Sequence, residues 1–243
     1  MLFKDRQEFN SLLNVFTFGD YSLYSIKNTG QHRETLPAKD KQERLIFSLN
    51  GSITVNGVNL KEKDMMYVPI GTKAEVSADT PSVIFIAESS GTKKYDQYVK
   101  SYSEATKIQI GQPTFRRTVV TSVGEKDPAN RLIGGYVEDS KGEWSSYPPH
   151  KHDDKPEAYI FYGINPGYAV QLILDEGDER AYVVHDYDTV LIPRGYHPHV
   201  NTSLKGGSYA WIICAPQEAR NMEVVIHPAY REVNLGKSHL TIK

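Results

Sequence analysis

Short segments of β-branched or alternating apolar residues recur along almost the whole chain, and they constrain the fold more than any other feature. Examples from the first half are "RLIFSLN", "GSITVNGVNL", "MMYVPI" and "SVIFIAE", which Gly, Asn, Asp or Pro separates. Such runs, with turn residues at short intervals, are typical of antiparallel strands joined by hairpins. Asn56-Gly57 predicts one tight hairpin turn. A single short helix is expected around "KYDQYVKSY", residues 94–102. The sequence therefore predicts an all-β fold.

The second half of the chain repeats the pattern of the first. The segments "ERLIFSLNGSITVNGVNLKEKDMMYVPIG" and "EAYIFYGINPGYAVQLILDEGDERAYVVHDYDTVLIPRG" both run Glu, strand, turn, strand, acidic turn, strand and Pro-x-Gly. This alignment places Glu43 opposite Glu157. We therefore predict an internal duplication, with two small β-barrels or sandwiches in tandem at residues 1–105 and 106–243.

Four residues of the second half have the spacing expected of metal ligands. "PPHKHDDKPE" contains His150, His152 and Glu157, and His197 follows a Pro-x-Gly turn in "PRGYHP". Alternate residues of an extended segment share a face, so the paired histidines can point to the same side. Glu157 and His197 begin further predicted strands. We therefore expect these four side chains to converge inside the C-terminal barrel.

Three imidazoles and one carboxylate suit a divalent transition metal, and a four-ligand set leaves positions open for water or substrate. We predict one bound ion, zinc or manganese in the first place, with iron, nickel or cobalt as alternatives. Such an open position is typical of a catalytic metal. The first half keeps Glu43 but has Thr72-Lys73 after its Pro-x-Gly and no His-x-His before it. We therefore predict that the N-terminal barrel binds no metal.

"GEWSSYPPHKHDDKPE" and "PRGYHPHVN" resemble the two cupin motifs. More narrowly, "WSSYPPHKHD" with "VLIPRGYHP" is similar to the bicupin sugar-acid isomerases, the 5-deoxyglucuronate isomerase and deoxy-hexosulose-uronate ketol-isomerase family. The resemblance implies tandem cupin (jelly-roll, double-stranded β-helix) barrels, a homo-oligomer, and a metal on His150, His152, Glu157 and His197. It also implies aldose–ketose isomerisation of a deoxy uronic acid.

The expected substrate is 5-deoxy-glucuronate, the acid of inositol catabolism. The short loop "DDKP" between His152 and Glu157 is more similar to the relative that acts in pectin degradation. The 4-deoxy-L-threo-5-hexosulose-uronate ketol-isomerase activity is therefore the alternative.

An aldose–ketose isomerase must carry a proton between adjacent carbons, which requires a general base. Strand alternation suggests three candidates: Tyr159, which shares a face with Glu157, Gln171, and His199, which shares a face with His197.

A sugar acid also carries a carboxylate, for which a bidentate arginine is the natural partner. Arg194 in the Pro-x-Gly turn is the first candidate, with Tyr196 beside it as a second substrate-binding residue. Arg116, Arg117 and Arg131 on flanking strands are weaker candidates.

Two other functions fit the same ligands. A non-haem iron dioxygenase also uses such a centre, and a non-catalytic bicupin can use a metal to bind a sugar. Oxygen uptake would mark the first, and tight binding without turnover the second.

Composition excludes some partners. The formal net charge of −2 and the lack of a basic run argue against nucleic acid or an anionic membrane. The N-terminal "MLFKDRQEFNSLLN" does not resemble a signal peptide, which favours a cytoplasmic location. Cys214 is the one cysteine, so no intrachain disulfide forms, and we expect it in the core.

Overall fold

The computed structural model describes residues 1–234 and 241–242. These residues form β-strands, loops and two 3-10 helices, Gln217–Ala219 and Pro228–Tyr230. Neither these nor any other helix in the described ranges has the length and apolar character needed to cross a membrane. In chain order the strands are β1 (Leu2–Phe3), β2 (Leu12–Phe18), β3 (Tyr21–Asn28), β4 (His32–Leu36), β5 (Gln42–Asn50), β6 (Ile53–Val55), β7 (Val58–Leu60), β8 (Met65–Val68), β9 (Ala74–Ala78), β10 (Ser82–Ser90), β11 (Tyr98–Lys100), β12 (Thr106–Ile110), β13 (Arg117–Val123), β14 (Leu132–Asp139), β15 (Trp144–Ser145), β16 (His150–Lys151), β17 (Glu157–Tyr162), β18 (Ala169–Asp175), β19 (Asp178–Val184), β20 (Thr189–Ile192), β21 (His199–Asn201), β22 (Gly207–Cys214), β23 (Glu223–Ile226) and β24 (Thr241–Ile242).

The chain divides into two compact units. The N-terminal unit consists of Arg6–Ala105 and Ser122–Gly134. The C-terminal unit consists of Met1–Asp5, Thr106–Thr121 and Gly135–Lys243. The first residues of the chain thus belong to the C-terminal unit, where β1 pairs with β20.

The N-terminal unit consists of two antiparallel sheets. One has the strand order β11-β8-β5-β10-β3-β2, and the other has the order β4-β9-β6-β7. Both contribute to one buried core, for example Ile46 and Ile86 from the first sheet and Val55 and Val76 from the second. The two-residue hairpin turn at Asn56-Gly57 is confirmed, because β6 pairs with β7 across it and both residues have positive φ, 49° and 78°.

The C-terminal unit repeats this plan. Its large sheet has the order β1-β20-β17-β22-β14-β13-β12, and a smaller one has the order β15-β21-β18-β19. In the large sheets, β20-β17-β22-β14-β13 corresponds to β8-β5-β10-β3-β2 of the other unit. A third sheet, β16-β23-β24, completes this unit. The all-β fold of duplicated barrels is therefore confirmed.

The helix expected at residues 94–102 is wrong. That segment contains strand β11, which pairs with β8. The Tyr98 ring stacks on Tyr67 with centroids 5.1 Å apart, and Val99 packs against the core of the unit. Tertiary contacts thus decide the conformation of a segment with a weak local preference. Cys214 is buried in β22, as expected.

Candidate metal centre in the C-terminal unit

The structure brings the four predicted ligands together inside the C-terminal unit. The ring nitrogens that His150, His152 and His197 offer lie within 4.8 Å of one another. Glu157 Oε2 lies 3.3 Å from His197 Nε2 and 3.6 Å from His152 Nε2. All four residues are buried. The arrangement is therefore a compact set of three imidazoles and one carboxylate.

The local structure explains this convergence. His150 and His152 alternate along an extended segment, and the intervening Lys151 extends its amino group toward Asp153, 3.3 Å away. Glu157 is the first residue of β17, which lies between β20 and β22.

A tight turn after β20 leads the chain to the fourth ligand. Gly195 has a φ of +96°, a conformation that residues with a side chain rarely adopt. A Cβ at this position would also lie 3.1 Å from the carbonyl oxygen of Leu174. Glycine thus allows the turn that leads to His197.

Backbone carbonyl groups fix the orientation of all three imidazole rings. Each Nδ1 atom lies within hydrogen-bonding distance of one carbonyl oxygen: His150 to Pro148 at 3.0 Å, His152 to Glu223 at 2.9 Å, and His197 to Gly195 at 3.0 Å. A carbonyl oxygen can only accept, so each Nδ1 carries the proton. In the neutral rings the lone pair is then on Nε2, as in metal-binding histidines whose other nitrogen donates to a carbonyl.

Two buried polar atoms at the centre of the site have the surroundings expected of metal ligands. His197 Nε2 and Glu157 Oε2 have no hydrogen-bond partner among the described residues. A buried polar atom without a partner costs roughly 1–3 kcal/mol. A divalent cation between the four side chains would give both atoms a partner, and imidazole with carboxylate is a donor set that such ions accept. The residues present therefore fit a metal ion.

The charges of the centre also suit a cation. Burial, and then the neighbouring His197 and His152, lower the pKa of His150 well below its ordinary value, so this ring is neutral as a ligand must be. Burial alone would raise the pKa of Glu157, but His152 and His197 outweigh it and hold the pKa below its usual range. The site thus presents one carboxylate and an uncharged imidazole to an ion.

Three of the four candidate ligands, His150, His152 and Glu157, line a narrow cavity of about 30 Å³. Its other walls include the polar residues Arg117, Tyr159 and Tyr209 and the apolar side chains of Trp211 and Ile213. At roughly 10–15 Å³ for each water, this is room for about two water molecules.

Of the three predicted catalytic residues, Tyr159 lines the cavity. Its hydroxyl lies 3.1 Å from Ser146 Oγ, and its ring centroid lies 5.7 Å from that of His197. Burial, and then the charge of Glu157, raise the pKa of Tyr159 well above its ordinary value. The hydroxyl is therefore protonated at neutral pH.

Gln171 and His199 are fully buried but do not line the cavity. Gln171 Nε2 donates to the backbone oxygen of His197 at 2.8 Å. His199 Nε2 lies 2.7 Å from a carboxylate oxygen of Asp139, and its ring centroid is 6.4 Å from that of Tyr159. These contacts fix the residues that surround the centre, while the two catalytic roles stay predictions.

The two predicted substrate-binding residues also lie outside the cavity lining. The side chain of Arg194 is 76% exposed and pairs with Asp175 at 2.5 Å. Tyr196 packs its ring against His227, with centroids 4.7 Å apart. Arg117, one of the weaker arginine candidates, lies in the wall of the cavity. Substrate binding by Arg194 and Tyr196 stays a prediction.

Sequence reasoning missed Tyr209 and Met222, which also line the cavity. Strand alternation could have indicated Tyr209, because Tyr209 lies two residues before Trp211 on β22 and the two side chains share one face of the strand. Met222 lies next to β23, whose pairing with β16 is between distant segments. No motif in the sequence indicates that pairing.

Fold and site together define a bicupin with a three-histidine, one-glutamate centre in its C-terminal unit. A family model described as "KduI/IolB family" matches residues 12–233. The chain therefore belongs to the KduI/IolB family.

Curated relatives carry two isomerase names. A 5-deoxy-glucuronate isomerase of Geobacillus kaustophilus is 34% identical over 144 residues, which are 55% of this chain and 52% of the relative. A protein of the same name from Bacillus subtilis (strain 168) is 25% identical, over 75% of this chain and 76% of the relative. A 4-deoxy-L-threo-5-hexosulose-uronate ketol-isomerase of Oceanobacillus iheyensis is 24% identical, over 74% and 71%. The chain thus spans about half the length of the Geobacillus relative.

Solved structures share the fold. An IolB-like protein from Salmonella typhimurium LT2 superposes with a TM-score of 0.82 at 19% identity, over 95% of this chain and 97% of that chain. Oxalate decarboxylase of Bacillus subtilis, a protein with Mn(II) centres, superposes with a TM-score of 0.60 at 11% identity, over 82% and 69%.

Proposed function

We propose that this protein is a metal-dependent aldose–ketose isomerase of a deoxy uronic acid, with 5-deoxy-glucuronate as substrate. The observation that carries the proposal is the convergence of three carbonyl-anchored imidazoles and Glu157 on one buried point beside a cavity. Membership of the KduI/IolB family and the names of the Geobacillus and Bacillus relatives support the substrate class.

The reaction moves a proton between the carbonyl carbon and its neighbour through an enediolate. A bound divalent cation would supply the positive charge that stabilises the enediolate oxygens. In this proposal His150, His152, Glu157 and His197 hold that ion. Trp211 and Ile213 keep bulk water from the reacting carbons. The hydroxyl of Tyr159, oriented by Ser146, donates a hydrogen bond to the oxygen on which charge develops.

A second substrate has support of its own. The Oceanobacillus relative is named a 4-deoxy-L-threo-5-hexosulose-uronate ketol-isomerase, and the loop of this chain between His152 and Glu157 is four residues long. Both substrates require the same enolisation, so the same residues would serve. Two alternative functions, an iron dioxygenase and a non-catalytic sugar-binding protein, are tested in the same experiments. Three further expectations stay predictions: a homo-oligomer, a cytoplasmic location and a domain boundary near residue 105.

Proton NMR in heavy water tests the function and selects the substrate. The metal-loaded protein is incubated anaerobically with each of the two deoxy uronic acids in turn. We expect the ketose product to appear from 5-deoxy-glucuronate, with solvent deuterium at the carbon next to its carbonyl. Turnover of the hexosulose-uronate instead would assign the second substrate.

Controls separate the alternatives. Protein treated with a chelator should lose turnover and regain it when zinc or manganese is restored. A reaction that consumes oxygen would assign the dioxygenase, and tight binding of either acid without any conversion would assign the sugar-binding protein. Oxygen consumption, or binding without conversion, would contradict the isomerase proposal.

Replacing Tyr159 with phenylalanine should lower kcat about 100-fold and change KM little, because only the hydroxyl near the reacting oxygen is lost. Steady-state kinetics with the preferred acid measures both constants, and metal analysis should give the wild-type content. Tyr136→Phe is the matched control, since it removes a buried hydroxyl outside the cavity lining. Equal rates for Tyr159→Phe and wild type would remove Tyr159 from the mechanism.

A further inference from the structure

Arg117 is a buried cation in the wall of the candidate active site. It begins strand β13, and its side chain lines the cavity together with that of Val119, which faces the same side of the strand. Only 5% of its surface is exposed. A guanidinium does not lose its proton in proteins, so the cavity wall carries a permanent positive charge.

Among the described residues, no carboxylate forms an ion pair with the Arg117 guanidinium; two backbone carbonyl groups are its contacts. Nη2 donates to the backbone oxygen of Tyr147 at 2.8 Å and Nη1 to that of Phe115 at 3.3 Å. Within the described part of the chain, these two carbonyl groups are its hydrogen-bond acceptors, and neither is a carboxylate. A guanidinium has five N–H donors, so donors remain for a ligand.

Two other arginines of the chain, unlike Arg117, each pair with a carboxylate. Arg44, which is buried in the N-terminal unit, pairs with Glu88 at 2.9 Å. The neighbouring Arg116 is more than half exposed and pairs with Glu143 at 2.7 Å. Buried charges are normally paired, because an unpaired one loses its hydration without compensation. Arg117 thus has the properties of a residue whose anionic partner is a bound ligand.

We propose that Arg117 binds the carboxylate of the sugar acid and selects acids over uncharged sugars. This inference rests on the proposed function, and it assigns that role to Arg117 in place of the exposed Arg194. The bond to the Tyr147 carbonyl holds the guanidinium to the segment that leads directly to His150. The carboxylate site and the metal ligands are therefore fixed to one stretch of backbone, which sets the position of the acid relative to the centre.

The experiment compares two substrates in four proteins. The substrates are 5-deoxy-glucuronate and 5-deoxyglucose, which carries a CH₂OH group in place of the carboxylate. The proteins are wild type, Arg117→Gln, Arg117→Lys and the control Arg116→Gln.

Arg117→Gln should lower kcat/KM for the acid roughly 100-fold, mainly through KM, and change the value for the uncharged sugar less than threefold. Arg117→Lys keeps the charge but not the paired donors, so it should lose about tenfold. Arg116→Gln should behave as wild type, and all four proteins should bind the same amount of metal.

Three results would overturn the inference. An equal loss for both substrates would mean that Arg117 supports the structure only. No loss for either would mean that it does not touch the ligand. A fifth protein, Arg194→Gln, tests the turn: loss of its preference for the acid, with Arg117→Gln unchanged, would place the carboxylate there. If Arg117→Gln does not fold, Arg117→Lys is used for the same comparison of kcat/KM between the acid and the uncharged sugar.

If the protein is not an isomerase, the kinetic experiment gives a result that differs from all of those above. In that case wild type converts neither substrate, and calorimetric titration with D-glucuronate and D-glucose replaces the kinetics. Wild type should still prefer the acid, and Arg117→Gln should lose that preference. Equal affinities of wild type and Arg117→Gln for D-glucuronate would then overturn the inference by itself.

Discussion

Replacing His197 with alanine is expected to abolish both metal binding and turnover. His197 is the most deeply buried of the three histidines, and its unpartnered Nε2 lies 3.3 Å from Glu157 Oε2. The variant leaves the Glu157 carboxylate in a buried site without the ring beside it. Loss of the charge that stabilises an enediolate is worth several kcal/mol, so the rate should fall about 1000-fold or more.

Elemental analysis of the purified variant and steady-state kinetics measure the two effects. Metal content should fall from about one ion per chain to near zero, as expected when one ligand of a four-ligand site is lost. His185→Ala is the matched control, because the His185 side chain is 52% exposed and is not part of the cavity lining. A His197→Ala protein that keeps its full metal content would contradict the proposed centre.

The four candidate ligands could be predicted because their geometry is local and periodic. Alternation along an extended segment places His150 and His152 on one face, and a Pro-x-Gly turn places His197 after the end of a strand. The repeated strand and turn pattern of the two halves likewise predicts the duplicated barrels. Features that depend on period and turn chemistry are therefore readable from the sequence of one chain.

The groups that orient those ligands could not be predicted. The carbonyl that accepts from His152 belongs to Glu223, which is 71 residues further along the chain. Every residue has a backbone carbonyl, so no residue type indicates which one will be used. Residue type also does not show which arginine lines the cavity, because the sequence gives Arg194 and Arg117 as the same amino acid. Burial and the carboxylate paired with Arg194 distinguish them, and both depend on tertiary structure.

Glu43 is the residue of the N-terminal unit that the internal alignment places opposite Glu157. The correspondence holds in the sheets, where β5 lies between β8 and β10 as β17 lies between β20 and β22. Its surroundings differ, since the Glu43 carboxylate accepts three backbone N–H groups: Asn130 at 2.6 Å, Arg131 at 2.7 Å and Leu132 at 3.0 Å. The hydroxyl of Tyr67 donates to it as well, at 2.9 Å. In the N-terminal unit this position therefore holds a distant segment of backbone.

Replacing Glu43 with alanine should accordingly destabilise the protein by about 3–5 kcal/mol, because it leaves several buried donors without an acceptor. Chemical denaturation measures the free energy of unfolding. Glu75→Ala is the control in the same unit, and its exposed pair with Lys73 should contribute less than about 1 kcal/mol. Metal content should be unchanged in Glu43→Ala. A stable Glu43→Ala variant that loses metal would instead make Glu43 a metal ligand. That result would contradict the assignment of a structural role to Glu43 and a metal-binding role to Glu157.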